Sequence, residues 1–213
     1  MIETGLLITF LVSAILLIIS PGIDTVFVLN KTISQGKRSG IYATLGICSG
    51  ILVHTLFAAM GLSLIISQSA IAFSIIKYAG AIYLIYLGIS QLRRNNKFSL
   101  SNQLQEKGTQ EKDYKSFISG TLTNVLNPKV AIFFVAFFPQ FITPQSNSIP
   151  QILLLGTIYS VSCAIWLSSL VILVSLFSSK LINSRFFNLW ADRIAGATYI
   201  FWGIKLAFAN MKK

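Results

Sequence analysis

Long apolar stretches, each wide enough to cross a lipid bilayer, alternate with short polar segments along the chain. The stretches cover residues 4–30, 40–66, 70–92, 116–142, 150–178 and 190–210. A helix needs about 20 mostly apolar residues to span the hydrocarbon core. The pattern therefore predicts an all-α integral membrane protein with six transmembrane helices, of which the first and the fourth are interrupted by proline.

The composition supports this fold class. Hydrophobic residues make up 54% of the chain and charged residues only 11%, against about 25% charged residues in an ordinary soluble domain. Six spans and their loops use up the 213 residues, so no separate soluble domain fits. We expect a single transmembrane domain over residues 1–213.

The positive residues predict how the chain lies in the membrane. Of the 17 Lys and Arg residues, twelve lie in or beside the loops after spans one, three and five, and none lies in the loops after spans two and four. Short basic loops stay on the cytoplasmic side. We expect residues 93–115 to form a cytoplasmic linker and both termini to lie outside. Because the basic residues do not interleave with aromatic ones on a polar face, a nucleic-acid partner is not expected.

The two halves of the chain resemble each other. Residues 77–83 match 193–199 at an offset of 116, Ser20-Pro21 matches Asn127-Pro128 at 107, and Leu45-Gly46 matches Leu155-Gly156 at 110. Each half contains three spans, an odd number, so the second half must be inverted, and the basic loops swap position accordingly. We predict two inverted three-helix repeats, residues 1–92 and 116–213. Secondary transporters built in this way bind substrate at the repeat interface.

The first proline break is the first candidate site. Pro21 removes a backbone donor at a depth where lipid cannot replace it. We expect Ser20 to cap a new half-helix that begins at Pro21 and continues through Gly22. The positive end of that half-helix would suit a substrate carboxylate.

The second break repeats this pattern. Asn127 is expected to cap a half-helix that begins at Pro128, where Lys129 adds a full positive charge. The alternative for both breaks is that the proline merely kinks a packed helix.

Two titratable residues within the spans are candidates for ion or substrate binding. Burying Asp24 costs roughly 2.5 to 3.5 kcal/mol, a cost that function usually explains. Asp24 could hold a substrate ammonium group or take up a proton; the alternative is a structural ion pair with Lys129. His54, the only histidine, could carry a proton, or could be a hydrogen-bonded interior residue.

The two cysteines offer another class of function. Cys48 and Cys163 lie in different apolar spans, apart from the proline breaks, with no metal or disulfide spacing. No metal and no cofactor are therefore expected. A membrane enzyme or thiol-redox carrier that uses the two thiols stays an alternative, as does a channel.

Several motifs together resemble the LysE/RhtB-type amino-acid exporters. They are Ser20-Pro21-Gly22-x-Asp24, residues 35–40, Gly46, residues 54–61, residues 77–80, residues 83–84, Leu87-Gly88, Gly120 with Asn124, residues 126–129 and residues 138–141. The resemblance covers nearly the whole chain. One departure is Ile23, where the family often has proline.

The resemblance implies a function. It implies a multi-pass protein of the bacterial inner membrane, not an enzyme, that exports amino acids or derivatives such as threonine, homoserine, homoserine lactone, leucine, lysine or arginine in exchange for protons. The closer match is to the RhtB branch, which favours neutral substrates. The expected partners are therefore an amino-acid substrate, a proton and the lipid bilayer, and a homo-oligomer stays open.

Overall fold

The structure is a computed structural model of the chain. It describes residues 4–62, 70–93, 112–142 and 148–176, together with part of residues 193–208. Regular structure in these residues is helical throughout, without strands. The all-α prediction is confirmed for this part of the chain.

The helices match the predicted spans to within a few residues. They are α1 (Thr4–Ile19), α2 (Ile23–Gln35), α3 (Lys37–Phe57), α4 (Ala70–Leu92), α5 (Asp113–Val125), α6 (Pro128–Ile132) and α7 (Ser148–Leu176). Helix α3 continues in a π-helical turn, Ala58–Leu62, and α6 continues through a π-helix, Phe133–Phe137, into a 3-10 turn, Phe138–Phe141. Most of the predicted linker and much of the sixth span lie outside the described residues.

Two helices and two bent helix pairs in the described part are long and apolar enough to cross a membrane. Helix α3 with its π-helical turn and helix α7 qualify alone. Helices α1 and α2 meet at an angle of 50°, and α5 and α6 with its continuation meet at 49°. The predicted interruptions of spans one and four are therefore confirmed. The described residues give two to four spans, depending on whether each bent pair counts as one.

Glycines bring α3 and α5 into close contact. A Cβ atom added at Gly120 would lie 2.6 Å from the carbonyl oxygen of Ala43, and one added at Gly50 would lie 2.7 Å from the Cβ of Asn124. Residue numbers rise together along the contact, so the two helices run parallel. Small residues allow such close approach between membrane helices. Gly50 is therefore a packing residue of this contact.

Polar contacts join the beginnings of α3 and α5. The buried hydroxyls of Ser39 and Ser116 lie 2.7 Å apart. Arg38 Nε lies 2.6 Å from Asp113 Oδ2, although the Arg38 side chain is 78% exposed. An exposed ion pair of this kind contributes little stability, which makes Asp113 a useful control position.

Helix α7 crosses α3 in the opposite direction. Gly156, near its beginning, contacts Thr55 near the end of α3, while Val171 lies beside Gly40 near the start of α3. Two inverted three-helix halves require α3 and α5 to run parallel and α7 to run antiparallel to both, and the helices have these directions.

The interior and the exterior of the bundle are both apolar. Aromatic side chains fill the interior around α6, where Phe133 stacks on Tyr159 with ring centroids 4.9 Å apart and Phe134 stacks on Phe138 at the same distance. Large apolar side chains also point outward, among them Ile82 at 70% and Ile165 at 64% exposure. Such an exterior suits contact with lipid rather than water.

Candidate functional site

The first break differs in detail from the sequence expectation. The Ser20 amide still donates to the Leu16 carbonyl of α1, at 3.2 Å. Gly22, in extended conformation, is the N-cap of α2, and no side chain caps the helix. The prediction that Ser20 caps a helix beginning at Pro21 is therefore wrong by two residues, because Ser20 completes the last turn of α1. The amides of the first turn of α2 are left without a capping side chain.

The second break is as predicted. Asn127 is the N-cap of α6, and its Oδ1 accepts a hydrogen bond of 3.0 Å from the Lys129 amide. Pro128 occupies the first helical position, where its missing N–H costs nothing. One of the amides at this helix end is thus already satisfied by the chain itself.

Lys129 replaces a hydrogen-bond donor that α1 lacks because of Pro21. In an uninterrupted helix the amide of residue 21 would donate to the carbonyl of Leu17, and proline has no amide hydrogen to give. The Lys129 ammonium donates to that carbonyl instead, at 2.8 Å, and to the Ser20 carbonyl at 2.9 Å. The side chain therefore serves the C-terminal end of α1 in the other half, rather than the start of its own half-helix.

His54 makes a similar contact at the second proline. Pro128 removes the helical donor of the Asn124 carbonyl, which accepts instead from the Asn127 amide at 2.9 Å. Asn124 occupies the position that Leu17 occupies in the first half. His54 Nε2 lies 3.2 Å from this carbonyl oxygen, and its ring stacks on Phe134 at 5.8 Å. Each break thus receives a hydrogen bond from a side chain of the other half. The contacts support the interpretation of His54 as a hydrogen-bonded interior histidine.

A pair of substitutions tests this structural role. We expect His54→Gln, which keeps a donor, to unfold at the wild-type temperature, because Gln can still bond the Asn124 carbonyl. His54→Leu should lower stability by about 1 kcal/mol, the value of one hydrogen bond. Thermal unfolding would measure both effects. Equal stability of His54→Leu and the wild type would contradict the structural role.

Asp24 lies where the two breaks meet. It belongs to the first turn of α2, and its Oδ2 accepts a hydrogen bond of 2.8 Å from Asn124 Nδ2. A carboxylate oxygen only accepts, so the Asn124 amide must present its nitrogen here. Asp24 is therefore hydrogen-bonded to a residue of the other half of the chain. This residue, Asn124, lies one helical turn before the second break.

Four buried polar atoms around the breaks have no hydrogen-bond partner within the part of the chain that the structure describes. They are Ser20 Oγ, Asp24 Oδ1, Asn124 Oδ1 and Asn127 Nδ2. Buried polar atoms are nearly always paired, and a cluster of exceptions requires an explanation. Three of these atoms accept hydrogen bonds and two donate, since a hydroxyl does both. That combination suits a ligand carrying both an ammonium and a carboxylate group.

A small cavity lies among these residues. Its volume is about 20 Å³, which holds one water molecule. Both halves of the chain line it equally, and its polar lining consists of Asp24, Thr25, Asn127, Lys129, Tyr159 and Cys163. An amino acid is too large for this space. In this conformation the polar cluster therefore encloses space for a water-sized molecule only.

Most of the residues singled out in the sequence converge here. Gly22, Asp24, Asn127 and Lys129 line the cavity, and the Ser20 carbonyl accepts from Lys129. Pro21 and Pro128 act indirectly, by creating the two breaks. His54 lies behind the cavity, on the Asn124 carbonyl.

Other residues in the cluster had no assigned role in the sequence. Asn124 appeared only within the family motif, although its position four residues before Pro128 marks the carbonyl whose helical donor the proline removes. No feature of the sequence indicated that Thr25 and Tyr159 would line the cavity, because their place there depends on how the helices pack.

The cysteines are closer to the site than expected. Cys163 lines the cavity with Asp24 and Lys129, so the expectation that both cysteines lie apart from the breaks is wrong. Cys48 lies on α3 beside Ser160, whose carbonyl accepts from its Sγ at 3.6 Å, one turn of α7 before Cys163. Helices α3 and α7 meet at this point.

Comparison with known proteins agrees with the geometry. A sequence profile of the LysE type translocator family matches residues 15–210. The chain belongs to the LysE type translocator family. Among its relatives in this family is YrhP, an uncharacterized membrane protein of Bacillus subtilis (strain 168), which is 35% identical over 93% of this chain and 97% of that protein.

Two further relatives of this LysE type translocator carry functional names. The homoserine/homoserine lactone efflux proteins of Salmonella typhimurium (strain LT2) and Salmonella typhi are 36% and 37% identical, each over 69% of both chains. No solved structure matches the chain. The resemblance derived from the motifs is therefore confirmed at the level of the family.

The one departure from the family motif has a structural explanation. Ile23 is the first residue of α2, a position that proline fits well. Gly22 before it is extended, the conformation that a following proline requires. Proline and isoleucine are thus both compatible with the same break.

Proposed function

We propose that this protein is a secondary transporter that exports small neutral amino acids or their derivatives, of the homoserine or threonine class, across the bacterial inner membrane. The observation that carries the proposal is the cluster of unpaired buried acceptors and donors where the two broken spans meet. The efflux activity named for the two Salmonella relatives supports the same substrate class.

The polar cluster has complementary places for the two ends of an amino acid. Asp24 Oδ1 and Asn124 Oδ1 would accept hydrogen bonds from an ammonium group. Asn127 Nδ2 and the uncapped amides at the start of α2 would donate to a carboxylate, where the positive end of the helix adds favourable electrostatics. Lys129 would add positive charge on the same side.

Transport requires the cavity to open alternately to the two sides. We propose six spans in two inverted three-helix repeats that move against each other about the site. The nearly equal bends of 50° and 49°, and the parallel and antiparallel directions of α5 and α7 relative to α3, support this architecture. The basic loops favour an orientation with both termini outside.

A proton is the proposed coupling ion. When the substrate leaves, Asp24 would keep a buried carboxylate oxygen without a partner, which is costly in a medium of low polarity. Protonation of this carboxylate would remove the charge and allow the empty protein to return. Asp24 would thus bind either the substrate ammonium or the proton.

An efflux panel tests the proposal. We expect cells preloaded with radiolabelled homoserine, threonine, leucine or lysine to release the small neutral amino acids faster when they express the protein. Release should saturate with internal concentration and slow when a protonophore collapses the proton gradient, because a carrier has a finite number of sites and uses the gradient.

Two results would contradict the proposal. Release that rises linearly with concentration and ignores the protonophore would indicate a channel. Release indistinguishable from that of cells lacking the gene, for every compound in the panel, would remove the substrate class.

A further inference from the structure

We propose that Cys48 and Cys163 form a dithiol modification site, which peroxide oxidises to a disulfide that ties the two halves of the transporter together. Cys48 belongs to α3 in the first half and Cys163 to α7 in the second. They are the only two cysteines of the chain, and both are free thiols in the structure.

The helices are in close backbone contact at this point. Cys48 Sγ donates to the Ser160 carbonyl at 3.6 Å, and Ser160 Oγ donates to the Cys48 carbonyl at 3.2 Å. Ser160 lies one turn before Cys163 on α7. The reciprocal bonds fix the register of the two helices so that Cys48 lies within one turn of Cys163 on α7. A disulfide requires such an approach, because it forms only where the two Cβ atoms lie close together.

The cavity gives one thiol access to a small oxidant. Buried thiols are usually inert because no reagent reaches them. Cys163 is an exception because it lines a cavity that holds a water-sized molecule, and hydrogen peroxide is only slightly larger than water. Cys48 lies behind it and does not line the cavity. Cys163 is thus placed to react first and Cys48 to resolve the product.

The reaction is balanced with peroxide as the oxidant. The Cys163 sulfur, after losing its proton, attacks one peroxide oxygen; the O–O bond breaks, and the leaving hydroxide takes up a proton as water. The resulting sulfenic acid is then attacked by the Cys48 sulfur, which forms the S–S bond and releases a second water. Two thiols lose two electrons in total, and the peroxide gains them.

The disulfide would act on transport through the relative motion of the halves. Helices α3 and α7 belong to different proposed repeats, so a covalent bond between them opposes their separation. This consequence rests on the proposed function, whereas the formation of the disulfide does not.

Labelling of thiols tests the site without any transport assay. Purified protein is treated with hydrogen peroxide, denatured, and reacted with a maleimide polymer that slows migration on a gel. We expect two labels before oxidation, none after it, and two again after reduction by dithiothreitol. In Cys48→Ala and Cys48→Ser, Cys163 has no resolving thiol, so peroxide should leave it as a sulfenic acid that dimedone labels, and dithiothreitol should restore its one maleimide label.

Two outcomes would overturn the site. In one, both thiols of the wild-type protein remain labelled after peroxide treatment. In the other, oxidation yields a dimer on a non-reducing gel, which would place the bond between two copies.

Export from proteoliposomes tests whether the disulfide opposes transport. We expect wild-type export to fall in proportion to the oxidised fraction and to recover with dithiothreitol, while Cys48→Ala exports at the wild-type rate with or without peroxide. If the disulfide forms and export is unchanged, the proposed effect on transport is wrong, whereas the modification site is retained. If wild-type protein exports nothing before oxidation, the proposed function fails instead.

Discussion

Replacing Asp24 by asparagine is expected to abolish most of the export while leaving the fold intact. The amide oxygen of asparagine can still accept the hydrogen bond from Asn124 Nδ2 that Asp24 accepts at 2.8 Å. It cannot provide a charged acceptor for a substrate ammonium group or take up a proton. Loss of one charge-assisted hydrogen bond is worth roughly 1.5 to 3 kcal/mol, or about a ten- to a hundredfold reduction in transport.

Efflux from preloaded cells, at matched protein levels, measures this effect. Asp113→Asn is the matched control, because the same substitution there removes only a peripheral ion pair with the largely exposed Arg38. We expect the control to export at the wild-type rate. Wild-type export by Asp24→Asn would show that Asp24 has a structural role only.

The sequence predicts the spans and their breaks because both follow from local properties. Apolar length alone determines where a helix can cross the bilayer. A proline within such a stretch interrupts the backbone hydrogen bonds whatever surrounds it. Asn127 was correctly identified as a cap for the same reason, since a cap bonds an amide only two residues away.

Contacts between distant residues were harder to predict. Helix α7 is apolar on all sides, so its sequence does not indicate which face meets α3, and the approach of Cys163 to Cys48 had no signal. The partner of Lys129 was likewise unpredictable, because a long flexible side chain reaches several acceptors. The rule that a proline removes the donor of the carbonyl four residues earlier would, however, have marked the carbonyls of Leu17 and Asn124 as open to other donors.

The hydrogen bonds that each half gives to the break of the other connect stability with transport. Lys129 from the second half bonds the end of α1, and His54 from the first half bonds the end of α5. The carbonyl of Leu17 takes its donor from the other half, whereas that of Asn124 accepts both from the Asn127 amide of its own half and from His54. Any movement that separates the halves must therefore break these bonds or carry them along, and a substrate or water that enters could replace them.

Lys129→Met is expected to destabilise the protein strongly. Methionine fills a similar volume but cannot donate, so the carbonyls of Leu17 and Ser20 lose the donors that they have at 2.8 and 2.9 Å. Each unsatisfied buried group costs roughly 1 to 3 kcal/mol, which gives about 2 to 6 kcal/mol for the pair. That is a large part of the 5 to 15 kcal/mol that roughly spans the stability of folded proteins. Thermal unfolding of the protein in detergent would show the loss as a much lower midpoint.

Two further variants identify the cause of this loss. Lys112→Met removes an exposed lysine at the start of α5, and we expect it to unfold like the wild type. The double variant Lys129→Met with Asp24→Asn removes both charges of the site. If the lone carboxylate of Asp24 caused the instability, the double variant would recover. We expect it to remain unstable, because the carbonyls that Pro21 and the helix end leave without donors are still unpaired.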